Sequence, residues 1–169
     1  MPPFLFHVGR GEIMFQPYVT IADYATDEFV ERKSRFIGHI APAKTEEEAL
    51  AFLARIRAEN REARHNVFAY ILRESGIKRM SDDGEPQGTG GVPVLEVLER
   101  EGLTDVCVVV TRYFGGTLLG TAGLARTYAA AARAAIDEAG FAVYENFTVA
   151  MMEVDYSAYQ KLTFFLKNE

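Results

Sequence analysis

The segment Met80-Ser81-Asp82-Asp83-Gly84-Glu85-Pro86-Gln87-Gly88-Thr89-Gly90-Gly91 holds three carboxylates within four positions, set among glycines and followed by a helix start. Such a segment can do three things. Carboxylate oxygens suit a hard divalent cation, although the spacing is not that of an EF-hand and no histidine lies nearby in sequence. The N–H groups of Gly88 to Gly91 can hold an anion at a helix N-terminus. Or Asp and Gly serve only the geometry of a polar turn. The expectation is a ligand-binding loop of Ser81, Asp82, Asp83, Gly84, Glu85, Gly88, Thr89 and Gly90, without a metal or other cofactor.

A second segment, Thr111-Arg112-Tyr113-Phe114-Gly115-Gly116-Thr117-Leu118-Leu119-Gly120-Thr121-Ala122-Gly123, follows a run of valines. A buried strand there delivers Arg112 and Tyr113 to its end, and Gly115, Gly116, Gly120 and Gly123 lead into a helix. Strand, glycine turn and helix together let backbone N–H groups approach phosphate. The pattern is neither a Walker A motif nor G-x-G-x-x-G. Arg112 can neutralise a phosphate or a carboxylate such as Asp82 or Glu85, so the two loops are expected to be neighbours. His65 stands at a helix-to-strand junction, as a general base or as an ordinary loop histidine. A Ser81/His65/Asp82 triad can be written, without the nucleophile-elbow context that such a serine needs.

The elements that must position these loops can be read from pattern. Strands are expected at Tyr18–Ala22 and Ser34–Ala41. Thr45 and Glu48 form a capping box for a helix reaching Arg61, with Glu46 and Glu47 where the helix dipole favours them. Asn66–Arg73 and Asp105–Tyr113 are apolar on both faces, which marks central strands. A short strand follows Gly76, a helix spans Thr89–Glu101 with Pro93 in its first turn, and another runs from Thr121 or Ala122 to Ala139, ended by Gly140. A last amphipathic helix begins at Ser157.

Composition narrows the class. The chain has 169 residues, a 49% hydrophobic share and a single cysteine, Cys107. It has enough apolar material for a core and no internal disulfide, which fits a cytoplasmic setting. No apolar run reaches the ~18 residues of a membrane span, and the start has no signal-peptide pattern. The net charge of −6 argues against a general nucleic-acid clamp, yet residues 31–79 carry 11 Lys/Arg against 7 Asp/Glu. Arg32, Lys33 and Arg35 cluster before and within the second strand, and Arg55, Arg57, Arg61 and Arg64 around the end of the first helix. On one face they would form an RNA-binding footprint.

Taken in order, Ser34-Arg35-Phe36-Ile37-Gly38, Ala63-Arg64-His65-Asn66, Ser81-Asp82-Asp83-Gly84-Glu85-Pro86 with Gly88, and Arg112-Tyr113-Phe114-Gly115-Gly116 with Leu119-Gly120 and Gly123-Leu124 resemble the motif series of the IMPACT/YigZ family. The resemblance runs from Phe29 to Ala139. It implies an α+β fold, a two-layer sandwich with helices on one face of the sheet. The same fold occurs in a small-subunit ribosomal protein domain and in domain IV of elongation factor G. It also implies a left-handed crossover and a following ferredoxin-like domain. The expected organisation is an extraneous or disordered extension at 1–14, the main domain at 15–142, and the incomplete start of a second domain at 143–169. Eukaryotic members of the family regulate translation initiation through a protein partner. The implied function is therefore regulatory binding to RNA, ribosome or a protein. The alternative is an enzyme acting on a phosphorylated small molecule at the two loops.

Overall fold

A computed structural model of the chain describes residues 16–147 and 153–166. The expected extension at 1–14 and the end of the last helix beyond Leu166 lie outside the described residues. Gln16–Tyr144 form one compact unit. Its elements are β1 (Tyr18–Ile21), β2 (Ala25–Glu31), β3 (Ser34–Pro42), α1 (Glu46–Glu59), β4 (His65–Ile71), β5 (Lys78–Ser81), α2 (Gly91–Arg100), β6 (Val106–Tyr113), α3 (Thr121–Ala139) and β7 (Phe141–Tyr144). In the second unit the described element is α4 (Tyr156–Leu166), whose Ala158 N–H donates to Asp155 at 2.8 Å.

Five strands form a sheet in the order β2-β3-β6-β4-β5, with every neighbouring pair antiparallel. β6 lies at its centre because it is apolar on both faces. Val106, Val108 and Val110 pack with Val67, Ala69 and Ile71 of β4 under α2 and α3. Cys107 and Val109 pack with Tyr70 against Ala49, Phe52, Leu53 and Ile56 of α1. Helices therefore cover both faces, which corrects the expected two-layer arrangement with helices on one face. The reason is the pleat: strands with apolar residues on both sides need cover on both. The class remains α+β, with antiparallel sheets. β1 and β7 pair separately, in a two-stranded antiparallel sheet.

The crossovers follow from this order. β3 and β4 are parallel to each other with β6 between them, and α1 joins them over one face. β5 and β6 are parallel with β4 between them, and α2 joins them over the other face. The strand direction, the step along the sheet and the covering face all reverse between the two. One of the two connections is therefore left-handed, against the usual rule.

Two local features fix how closely the layers pack. At Gly38 on β3 an added Cβ would lie 2.4 Å from the carbonyl oxygen of Ala131, so α3 rests on bare strand backbone. At the start of α1 the Thr45 hydroxyl accepts the Glu48 N–H at 3.2 Å, while the Glu48 carboxylate reaches the Lys44 N–H, one residue earlier than a standard capping box. β2 was not expected. Its Asp27, Glu28 and Glu31 give no strand signal, but it pairs along seven residues with β3 as an edge strand, where charge is at home.

Candidate functional site

Strand direction gathers the chemistry at one end of the sheet. β2 and β5 end there, β3 and β4 begin there, and β6 delivers Arg112 and Tyr113 there. Each carboxylate of the acidic loop has a separate task. Asp82 Oδ1 accepts the N–H groups of Gly90 and Gly91 at 2.9 and 2.8 Å, and Oδ2 accepts that of Gly88 at 2.8 Å. Burial pushes its carboxyl up, but the three backbone N–H groups outweigh this and hold it below the usual range. Thr89 N–H and its hydroxyl both donate to the Pro86 carbonyl. The expected anion at this helix start is thus Asp82 itself, from six to nine residues upstream, and those N–H groups are already engaged.

Asp83, at φ 45°, accepts the Asn66 N–H at 2.6 Å and pairs with Arg57 at 2.5 Å. Its own N–H donates to the Ser81 hydroxyl. Its carbonyl lies 2.9 Å from His65 Nδ1, and because a carbonyl only accepts, Nδ1 carries the proton. His65 Nε2 then faces Glu85 at 4.0 Å. The Ser81/His65/Asp82 triad does not assemble. Ser81 serves the Asp83 N–H, Asp82 caps α2, and His65 bonds a backbone carbonyl. Gly84 forms the tip of this turn at φ 87°, close to the His65 ring.

Glu85 is the buried member. Its Oε1 accepts from Arg112 at 2.6 Å and from the Tyr128 hydroxyl at 2.7 Å, with the Glu85 and Arg112 side chains 3% and 6% exposed. Burial and then the Glu85 charge push the Tyr128 hydroxyl far up, so it stays a donor. Arg112 lies 5.4 Å from the ring centroids of both Phe36 and Phe114 and reaches Ser34 Oγ at 3.5 Å. Its Nε is buried without a hydrogen-bond partner, and these rings supply its nearby electron density. Arg112 therefore meets a carboxylate of the first loop, and the two segments are joined by this pair. Tyr113 takes another direction, donating to Asn60 behind the end of α1.

In the glycine-rich segment, Gly115 is explained by packing. A Cβ there would sit 1.9 Å from the Lys33 carbonyl oxygen, and its N–H donates to Ser34 Oγ. Gly116 and Gly120 adopt φ 84° and 74° in open space, and Gly123 lies in the first turn of α3. Tyr128 is not among the site residues expected from the sequence. The missed signal is a tyrosine on a helix face otherwise built of small residues, since a buried phenol needs a partner.

The seven basic candidates divide. Arg57 is held by Asp83, Arg35 pairs with Glu28, and Arg55 covers Tyr24 and Phe52 toward the other end of the sheet. Arg32, Lys33, Arg61 and Arg64 remain exposed at the site end. Among the described residues no ion pair joins Arg61 or Arg64 to Glu59 or Glu62. Also among the described residues, no group of three or more His, Cys, Asp or Glu is placed to hold a metal ion, and no helix is long and apolar enough to cross a membrane.

The family model described as the Impact N-terminal domain matches residues 32–136, the stretch that contains every candidate site residue above. The chain belongs to the IMPACT family. The IMPACT family member YvyE of Bacillus subtilis is 40% identical over 145 residues, 85% of this chain and 67% of that protein. The IMPACT family member YigZ of Escherichia coli is 44% identical over 100 residues, 57% of this chain and 49% of that relative. The chain thus spans from two thirds down to about half of these IMPACT relatives. A crystal structure of a hypothetical protein superposes with a TM-score of 0.73 at 32% identity, covering 92% of this chain and 77% of that one.

Proposed function

We propose that this IMPACT domain is a regulatory binding module in translation that engages RNA, alone or on the ribosome, through the end of its sheet. The observation that carries the reading is that Arg32, Lys33, Arg61 and Arg64 stand exposed where the acidic groups of the site are otherwise engaged. Asp82 caps α2, Asp83 holds Arg57 and the Asn66 N–H, and Glu85 holds Arg112. An acidic protein can thus present a local basic end with Phe114, 43% exposed, available for a base to stack on. In the same reading the fold is that of the ribosomal protein domain and elongation factor G domain IV, and the second unit, from Glu145, opens a ferredoxin-like domain.

The test uses a single-stranded RNA oligonucleotide and purified ribosomes. With about four phosphate contacts, affinity for the oligonucleotide falls about 50-fold from roughly 50 to roughly 200 mM salt. Arg61→Ala with Arg64→Ala weakens binding and leaves the fold intact, because neither side chain holds another element in place. Arg57 is unsuitable for this purpose, since it holds the acidic loop. Binding that ignores salt, or is unchanged in the double variant, overturns the reading in favour of a protein partner. The enzymatic alternative rests on His65, whose Nε2 faces Glu85. A metal-dependent activity on a phosphorylated small molecule, lost in Asp83→Asn, would establish it.

A further inference from the structure

One cavity lies beside the basic end and shares Arg32 with it. It has a volume of about 290 Å³ and lies between the last turns of β2 and the first two turns of α3. Phe29 and Glu31 line it from β2, Arg32 from the β2–β3 turn, Leu119 from the glycine-rich segment, and Gly123, Arg126, Thr127 and Ala130 from one stripe of α3. Its floor is apolar, and guanidinium groups rise from two different elements. Neither is tightly engaged: Arg32 reaches the Leu118 carbonyl only at 3.5 Å and Glu31 at 4.0 Å, and Arg126 has no ion pair among the described residues. Leu118, 80% exposed, adjoins the lining residue Leu119.

We infer that this groove docks an acidic peptide segment of a partner protein, one carboxylate between Arg32 and Arg126 and an adjoining apolar side chain on Phe29, Leu119 and Ala130. Charge decides against RNA here. Asp27 and Glu31 lie on the same face of β2 as Phe29, so successive phosphates would meet both carboxylates, whereas a peptide places a single negative group at the arginine pair. The outer edge of β2 has no strand partner among the described residues, so an extended segment can lie beside it.

The experiment is selection from a random dodecapeptide display library on the whole chain. The selected peptides are then measured by fluorescence polarisation. The expected peptides carry Asp or Glu next to a large apolar residue. Their affinity drops about tenfold, one charge-assisted contact, in Arg126→Glu. It also drops in Ala130→Phe, which fills the floor without changing charge. Both positions are exposed, so the variants fold. The Arg61/Arg64 variant keeps peptide binding while losing RNA, and Arg126→Glu keeps RNA, so the two readings fail separately. No enrichment, selected peptides without an acid, or equal binding by Arg126→Glu would each overturn the inference.

Discussion

Removing the Arg112 charge while keeping its bulk, as in Arg112→Met, leaves Glu85 buried with only the Tyr128 hydroxyl and a histidine nitrogen 4.0 Å away. Breaking a pair this enclosed costs about 3–5 kcal/mol, because the remaining charge has lost both water and its partner. Domains of this kind are stable by about 5–15 kcal/mol, so the variant forfeits about a fifth of the total or more. With a urea dependence of about 2 kcal/mol per molar, the unfolding midpoint falls by about 2 M. Equilibrium unfolding followed by far-ultraviolet circular dichroism reads this directly. Glu85→Gln is expected to cost about 3 kcal/mol by the same logic. The double variant costs less than the sum by at least about 2 kcal/mol, since each change removes the other's penalty. A midpoint shift below about 0.5 M for Arg112→Met, or additive single effects, would show that the pair does not join the loops and that the account of the site is wrong.

Three further outcomes follow from named contacts. Burial, opposed by Glu59 and aided by Arg55, lowers His39 from 6.5 to about 4, and Thr26 and Tyr24 face its Nδ1. The unfolded chain takes up this proton first, so stability falls as pH drops below 6.5, by about 2 kcal/mol between pH 7.5 and 5; His39→Gln should flatten that part of a urea-midpoint profile. Asp82→Ala frees three N–H groups at the start of α2 and costs about 2–3 kcal/mol in the same assay. Gly115→Ala drives a methyl into the Lys33 backbone and costs about 3 kcal/mol or more, whereas Gly116→Ala, in open space at φ 84°, costs about 1 kcal/mol, so the order of the two thermal midpoints checks the packing reading.

Elements whose signal is local were legible. Thr45 and Glu48 marked the start of α1, Gly140 marked the end of α3, and the unbroken valines of β6 marked a central strand. β2 was not legible, because Asp27, Glu28 and Glu31 are strand residues only by virtue of their pairing with β3. The number of layers was present in the sequence: Val67, Ala69 and Ile71 against Phe68, Tyr70 and Leu72 require cover on both faces. The expectation of one-sided helices came from resemblance and ran against that pattern. Among the site groups, the meeting of Arg112 with the acidic loop was expected. The partners of Asp82 and Asp83 were not, since a carboxylate capping a helix six to nine residues on, or holding Arg57 from 26 residues away, leaves no periodic trace.

The same division explains how the end of the sheet can be both acidic in sequence and basic in effect. A run of three carboxylates suggests a negative loop when counted by charge. In the fold, Asp82 faces three backbone dipoles, Asp83 faces a guanidinium and Glu85 lies under Tyr128 beside Arg112, so each negative charge is matched at close range. Fields from such matched groups fade within a few ångströms, whereas the exposed arginines and Lys33 act over about a Debye length, 8 Å at physiological salt. What approaches from solution meets these cations, with Glu31, Glu59 and Glu62 exposed among them, and not the carboxylates of the loop. The carboxylates hold the loops that carry these cations, which is why Arg57, though basic and exposed in part, belongs to the scaffold, while Arg61 and Arg64, one turn further along, belong to the surface that a polyanion would meet.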